Sequence, residues 1–278
     1  MLIKHFIVTY NNNDVLNTSL QTLKPTLERY DNTQYQLFII NNHSNFKMDD
    51  WFTNKVTVLH NQTRADFSTG HLTRNWNQAI INGFVNLKEP DCDVVITSQN
   101  DTTFTPNFLE EVMKNHINYD LVQLGAGDTF MSYTSNAIRK IGLWDERFCN
   151  IGYQESDYFF RAYRYLPHRT SINDFYHGRV YNPIDNNVIT DHFQSGHLRG
   201  EESHLESLKY HQYQMNFYLY KWHSTLDDIK NTSLYWHNLN SFKRLEPKID
   251  SFMYYPYFEK DYDTQTFVQQ KFIGWRNF

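Results

Sequence analysis

The sequence predicts an α/β fold, with a mainly parallel central sheet flanked by helices on both faces and a helical C-terminal extension. Three observations predict it. Apolar runs of strand length alternate with segments of helical period from residue 2 to about residue 120, the signature of βαβ units. One of those runs, Val94 to Ile96, reads as a buried strand and ends in the polar cluster Ser98, Gln99, Asn100 and Asp101. From Glu201 to His223 a single long helical pattern, aromatic and charged, follows a region of different rhythm.

The elements are expected in this order. Leu2 to Thr9 is a mostly apolar strand, and Tyr10 to Asn13 is a loop. Asp14 caps a helix whose buried stripe is Val15, Leu16, Leu20, Leu23 and Leu27. Gln36 to Ile40 is the second strand, followed by the turn-rich Asn41 to Asn45. Val56 to Leu59 is the third, and Thr73 to Asn86 a helix with Ala79, Ile80 and Phe84 inward. Val94 to Thr97 is the fourth strand. Its helix runs from Pro106 to Asn118, with Thr105 as N-cap, proline in the first helical position, and Glu110 and Glu111 soon after. Strands follow at Leu121 to Leu124 and Thr129 to Thr134, then a short helix from Asn136 closed by Gly142. Glu155 to Tyr165 is a helix and Thr170 to Ile172 a short strand. Residues 173 to 200 read as irregular, and 224 to 278 as polar-aromatic without an assignable element. The expected organisation is a domain over 1–200 and a helical extension over 201–278.

Composition bounds the function. With 278 residues, 40% hydrophobic and 21% charged, this is an ordinary globular chain able to bury a full core. A net charge of −5 offers no basic field, so no nucleic-acid partner is expected. Aromatics at 17% suit a sugar- or base-binding cleft and equally an amphipathic surface. Cys92 and Cys149 give neither metal spacing nor a disulfide framework. No apolar run reaches the ~18 residues of a membrane span, and no signal-peptide layout opens the chain, so a cytoplasmic location is expected.

Chemistry is expected at the strand ends. Four loops follow strands, at 9–13, 41–45, 98–104 and 145–157, and in a doubly wound sheet such loops converge on one edge. Asp101, delivered there by a buried strand, is the expected centre of the site. Neither a Gly-x-Gly-x-x-Gly turn nor a Walker A sequence is present, which leaves a nucleotide site built from Asn, Thr and carboxylate contacts.

Five stretches, in order, resemble the GT-A fold glycosyltransferases, close to the large inverting family 2. They are Phe6 to Asn12; Ile39-Ile-Asn-Asn-His-Ser44; Gly70 to Ala79 with Arg74-Asn-Trp-Asn77; Ser98-Gln-Asn-Asp101; and Gly142 to Phe148 followed by Gln154-Glu-Ser-Asp157 and Arg161. Met215 to Trp222 is similar to the helix that often closes such domains. The resemblance implies a Rossmann-like, mixed sheet and a metal-dependent transfer from a UDP-sugar to a glycan hydroxyl. It implies donor contacts at Thr9, Tyr10, Asn11, Asn41, Arg74, Asn77, Gln99 and Asn100, and acceptor contacts at Trp144 and Asp145. Asp101 would hold Mn²⁺ or Mg²⁺ with His192 as first candidate partner and His197 as second; an imidazole would favour Mn²⁺. Glu155 stands at the general-base position and Asp157 is the reserve.

Two departures stand out. Asn41 replaces the acidic residue usual at the second-strand end, where an amide oxygen still accepts a hydrogen bond, and Gln99 replaces the first Asp of Asp-x-Asp. Together they define the alternative of a catalytically inactive nucleotide- or sugar-binding module; a retaining glycosyltransferase on the same fold is the other. The compact chain and its Lys- and Asn-leaning vocabulary are also similar to the stand-alone glycosyltransferases of large DNA viruses, including those acting on algal-virus capsids. That resemblance implies the host cytoplasm as location and UDP-xylose, UDP-glucose or UDP-galactose as donor.

Overall fold

The computed structural model describes residues 1–10, 12–43, 45–61, 72–124, 127–148, 153–172, 179–181, 188–192 and 211–222. Expectations for Asn11, Cys149, His197, the division at residue 200 and the tail from 224 fall outside them.

Strands β1 (Ile3–Thr9), β2 (Tyr35–Asn41), β3 (Val56–His60) and β4 (Val94–Gln99) run parallel, separated by helices α1 (Asn13–Arg29) and α2 (Leu72–Phe84). Then come β5 (Thr102–Phe104), α3 (Phe108–Asn118), β6 (Leu121–Gln123), β7 (Phe130–Tyr133), α4 (Ser135–Ile141), α5 (Tyr153–Tyr165), β8 (Thr170–Ile172), β9 (Arg179–Tyr181), β10 (Val188–His192) and α6 (His211–Trp222). Among the described residues, the main sheet has seven strands in the order β3-β2-β1-β4-β7-β6-β8. Only β7 runs against its neighbours β4 and β6, so the sheet is mixed and mainly parallel, as expected. A second sheet, β5-β10-β9, is antiparallel.

Period-two alternation in the strands divides the core. Ile3, Ile7, Val94 and Ile96 face one side with Leu16, Leu20 and Leu23 of α1 and Phe108, Leu109 and Val112 of α3. Phe6, Val8 and Val95 face the other, with Trp76, Ala79 and Ile80 of α2, Ile138 and Ile141 of α4, and Tyr158 and Phe159 of α5. Helix α2 lies close to the sheet because residue 83 lacks a side chain. A Cβ there would meet Val95 Cγ2 at 2.3 Å and Phe6 Cε2 at 3.3 Å. Gly83→Ala is therefore expected to destabilise by roughly 1–3 kcal/mol despite the ~1 kcal/mol helix-propensity gain. A urea midpoint at or above that of the wild type would show the contact to be relaxed instead.

Several local expectations are corrected. Asn12, not Asp14, caps α1: its Oδ1 accepts from Val15 N at 3.1 Å, and Asp14 sits in the first turn. Helix α3 begins at Phe108 rather than Pro106, and its cap position, Asn107, makes no side-chain cap bond. Thr105 O instead accepts from Phe108 N in a preceding turn. Residues 102–104 form a strand, and 179–181 and 188–192 are strands within the stretch read as irregular. Gly142 closes α4 with φ 85, the left-handed conformation a side chain disfavours.

Two histidines are buried in this core. His5 lies between Tyr35 Oη at 2.7 Å and Ser98 Oγ at 2.8 Å, and burial lowers its pKa to about 3. His116 meets Ser132 Oγ at 2.9 Å and the Tyr119 carbonyl at 3.0 Å, and burial lowers it to about 4. In the unfolded chain both bind protons near 6.5, so between that pH and the lowered values the unfolded state holds more protons. The contribution of these two histidines is full above pH 6.5 and is lost with acidification, by up to about 1.4 kcal/mol per pH unit per histidine. Urea unfolding at pH 7 and pH 5 checks this: the midpoint is expected to drop, and a flat profile across that window would contradict it.

Candidate active site

The sheet itself assembles the site. Chain order runs outward from β1 through β2 to β3, then returns to place β4 on the other side of β1. The gap above β1 and β4 is thus a topological switch point, where open α/β sheets bind ligands. Register sets its floor: Thr9 lies opposite Asn41, Asn41 opposite His60, and Val8 opposite Gln99. Asn100 Nδ2 donates to Thr9 Oγ1 at 3.0 Å and ties the two central strand ends together.

Asp101 follows directly and is 2% exposed. The three-stranded sheet brings His192 to it in the backbone sense, because His192 pairs with Thr102. The His192 side chain lies outside what is described, and among the described residues no group of three or more His, Cys, Asp or Glu side chains gathers into a metal site. The buried Asp101 carboxylate alone is a hard oxygen ligand that suits Mg²⁺ or Mn²⁺ when other oxygen ligands join it.

On the far side of β1 lies a cluster of amides. Asn61 Nδ2 donates to Asn42 Oδ1 at 3.0 Å and to Gln78 Oε1 at 2.9 Å, while Gln78 Nε2 returns a bond to Asn61 Oδ1 at 3.0 Å. Asn41 is spent locally: its Oδ1 accepts from His43 N at 3.1 Å, and its Nδ2 donates to the His43 carbonyl at 2.7 Å and to His60 Nδ1 at 3.0 Å. Tyr10 lies edge-on to His43 with ring centroids 5.5 Å apart, and Arg74 is exposed on α2.

A carboxylate that sequence reasoning missed closes the site on the β7 side. Asp128, in the β6–β7 turn, has no exposed surface. Its Oδ1 accepts from Gln99 Nε2 at 2.8 Å, and its Oδ2 from Trp76 Nε1 at 2.8 Å and Gln154 Nε2 at 2.9 Å. Glu155, in the first turn of α5 and 3% exposed, is hydrogen-bonded to it as well. Burial pushes the Asp128 carboxyl up, against the pull of Glu155, Trp76, Gln99 and Gln154. Because β6 is parallel to β4 through β7, its turn opens on the same sheet edge as the ends of β1, β2 and β4, whereas residues 145–148 follow helix α4 and not a strand as expected. The signal was present: Gly125-Ala-Gly-Asp128 directly after an apolar run. The turn requires φ 58 at Gly127, where glycine is unstrained.

Four expected ligand contacts are committed elsewhere. Asn77 is fully buried and holds the loop before α5: its Nδ2 donates to the Trp144 carbonyl at 2.9 Å and Glu146 Oε1 at 2.8 Å, and its Oδ1 accepts from Trp144 N at 2.8 Å. Trp144 stacks on Tyr158 at 4.2 Å and donates to Tyr133 Oη, as a core residue does. Asp145 and Asp157 belong to a buried ion cluster. Lys221 of α6 reaches Asp145 at 2.8 Å and Asp157 at 2.5 Å, Arg147 pairs with Asp145 and Arg161 with Asp157. Burial alone would raise Asp145, but the Lys221 and Arg147 charges outweigh it and hold the carboxyl well below the usual carboxylate range. Asp157, the expected reserve base, and Asp145, the expected acceptor contact, are thus both paired with buried cations.

No protein-family model matches the chain, and no curated protein matches it. Among solved structures, it is similar to S. aureus TarS 1-349, with TM-score 0.43 and 15% identity over 63% of this chain and 59% of that one. It is similar to the mannosyltransferase PcManGT from Pyrobaculum calidifontis, solved with GDP-Man and Mn²⁺, with TM-score 0.39 and 10% identity over 62% and 54%. It is also similar to the Mycobacterium tuberculosis glucosyl-3-phosphoglycerate synthase, solved with Mn²⁺, UDP and glucosyl-3-phosphoglycerate, with TM-score 0.42 and 10% identity over 61% and 68%. The chain spans little more than half the length of the first two. Among the described residues, no helix is long and apolar enough to cross a membrane.

Proposed function

We propose that the protein is a GT-A type glycosyltransferase that moves a sugar from a UDP-sugar to a glycan hydroxyl with inversion, with Asp101 and His192 holding a divalent cation. The observation that carries this reading is the meeting of Thr9, Asn100 and Asp101 at the switch point of a mixed, mainly parallel sheet, with Glu155 tied to it through Asp128 and Gln99. Thr9, Tyr10 and Asn100 line the donor side, and Arg74 is the exposed cation of α2 available to the diphosphate. Glu155 takes the proton of the acceptor hydroxyl. The acceptor oxygen then bonds to the anomeric carbon as the bond from that carbon to the diphosphate breaks, and the departing UDP keeps the electron pair. A bound divalent cation would neutralise charge on that leaving group. The acceptor is the growing end of a glycan, and UDP-xylose, UDP-glucose and UDP-galactose are the first donors to try.

The local spending of Asn41 and the turning of Gln99 toward Asp128 favour a second reading, a module that binds UDP without turnover. UDP release from a panel of UDP-sugars, with Mn²⁺ and with EDTA, decides between them. Release from one sugar, abolished by EDTA and by Asp101→Asn, supports the transferase. UDP binding with no release from any donor supports the module.

A further inference from the structure

The buried arrangement around Asp128 does more than fill space. Its partners come from three elements: Trp76 from α2, Gln99 from the end of β4, and Gln154 and Glu155 from the start of α5. A tryptophan Nε1–H can only donate, so the Asp128 oxygen facing it must accept. Three N–H groups on one carboxylate favour its ionised form, against the burial that pushes it up. Glu155, 3% exposed, lies in contact with that carboxylate, and a negative charge beside it favours Glu155 gaining a proton over Glu155 keeping a charge of its own. Asp128 also accounts for Gln99. A carboxylate at position 99, as in Asp-x-Asp, would face Asp128 across a 2.8 Å contact, whereas an amide donates into it.

Resting on the transferase reading above, we infer that Asp128 is a positioning residue for Glu155. It fixes the orientation of the Glu155 carboxyl and receives its O–H hydrogen bond once Glu155 has taken the acceptor's proton. Asp128 touches neither donor nor acceptor; it acts through Glu155, and Trp76, Gln99 and Gln154 act through Asp128 by holding it.

The test is steady-state UDP release by the full chain carrying Asp128→Asn, alone and with Glu155→Gln. The amide keeps the shape, and Gln99 can turn its own amide to accept from it. The expected result is kcat lowered roughly 10–100-fold, the cost of removing a supporting partner, with donor KM and UDP affinity within about twofold of wild type. In the Glu155→Gln background the same change is expected to add less than about twofold, because the residue it serves is already gone. Should Asp128→Asn fail to fold, Gln154→Met removes one of the three N–H donors and is expected to lower kcat about three- to tenfold with KM unchanged. Unchanged kcat, a rise in KM that matches the loss of kcat, or full multiplicative loss in the double variant would overturn the positioning role while leaving the transferase reading intact. A wild type that binds UDP and releases none from any donor removes the transferase reading, and this inference with it.

Discussion

Glu155→Gln is expected to lower the turnover of UDP release by about 10²–10⁴-fold, the usual contribution of a positioned general base. Gln has nearly the volume of Glu, and its amide can still donate to Asp128, so the first turn of α5 should keep its place. UDP affinity is expected to hold, because the donor side is built from Thr9, Tyr10 and Asn100 on other elements. Asp157→Asn separates the two carboxylates of this helix. Asp157 is bonded to Arg161 Nε at 3.0 Å and paired with Lys221, so its loss should appear first as lowered stability. Turnover within tenfold of wild type for Glu155→Gln would move the base elsewhere.

Lys221→Met carries the largest expected cost in stability. The ammonium is fully buried between Asp145 and Asp157 and joins α6 to the loop before α5 and to α5 itself. Removing one member of a buried ion cluster leaves the others uncompensated, at a cost of roughly 3–5 kcal/mol. Arg147 and Arg161 remain to share the two carboxylates, which sets the effect toward the lower end. Phe217 and Tyr218 still pack on Phe148, Tyr153 and Phe160, so α6 is weakened at its polar anchor while its apolar one survives. Urea denaturation with an unchanged slope and a lower midpoint is the expected record. A midpoint equal to that of the wild type would mean the cluster contributes geometry without net energy.

What the sequence disclosed, and what it hid, follows the range of each interaction. Helix α1 was legible because Val15, Leu16, Leu20 and Leu23 repeat at helical period within one element. The parallel strands were legible as apolar runs with helices between them. Strand β5 was not: Thr102-Thr-Phe104 is polar and short, and it is a strand only because residues 190–192 pair with it. Its sequence also sits before a Thr-Pro pair that argued for a helix start. Asp101 was found because the carboxylate directly follows a buried strand. Asp128 follows one too, but a strand of three residues inside a changed rhythm gave its turn no weight. Asp145 and Asp157 read as site carboxylates, and their partner Lys221, 76 residues beyond Asp145, comes from α6. Spacing along the chain reports nothing about such a partner.

The two sheets share one run of chain. Strand β4 ends at Gln99 in the large sheet and β5 begins at Thr102 in the small one, leaving Asn100 and Asp101 as the passage between them. Thr102 is moored on one side by Ser19 of α1, whose hydroxyl donates to its carbonyl at 2.6 Å, and on the other by its own hydroxyl to the Thr129 carbonyl at 3.2 Å. Asp101 is thus mounted like a pin through a joint rather than at the tip of a loop. The carboxylate is therefore held through backbone that two sheets and one helix share, with the His192–Thr102 pair one residue away.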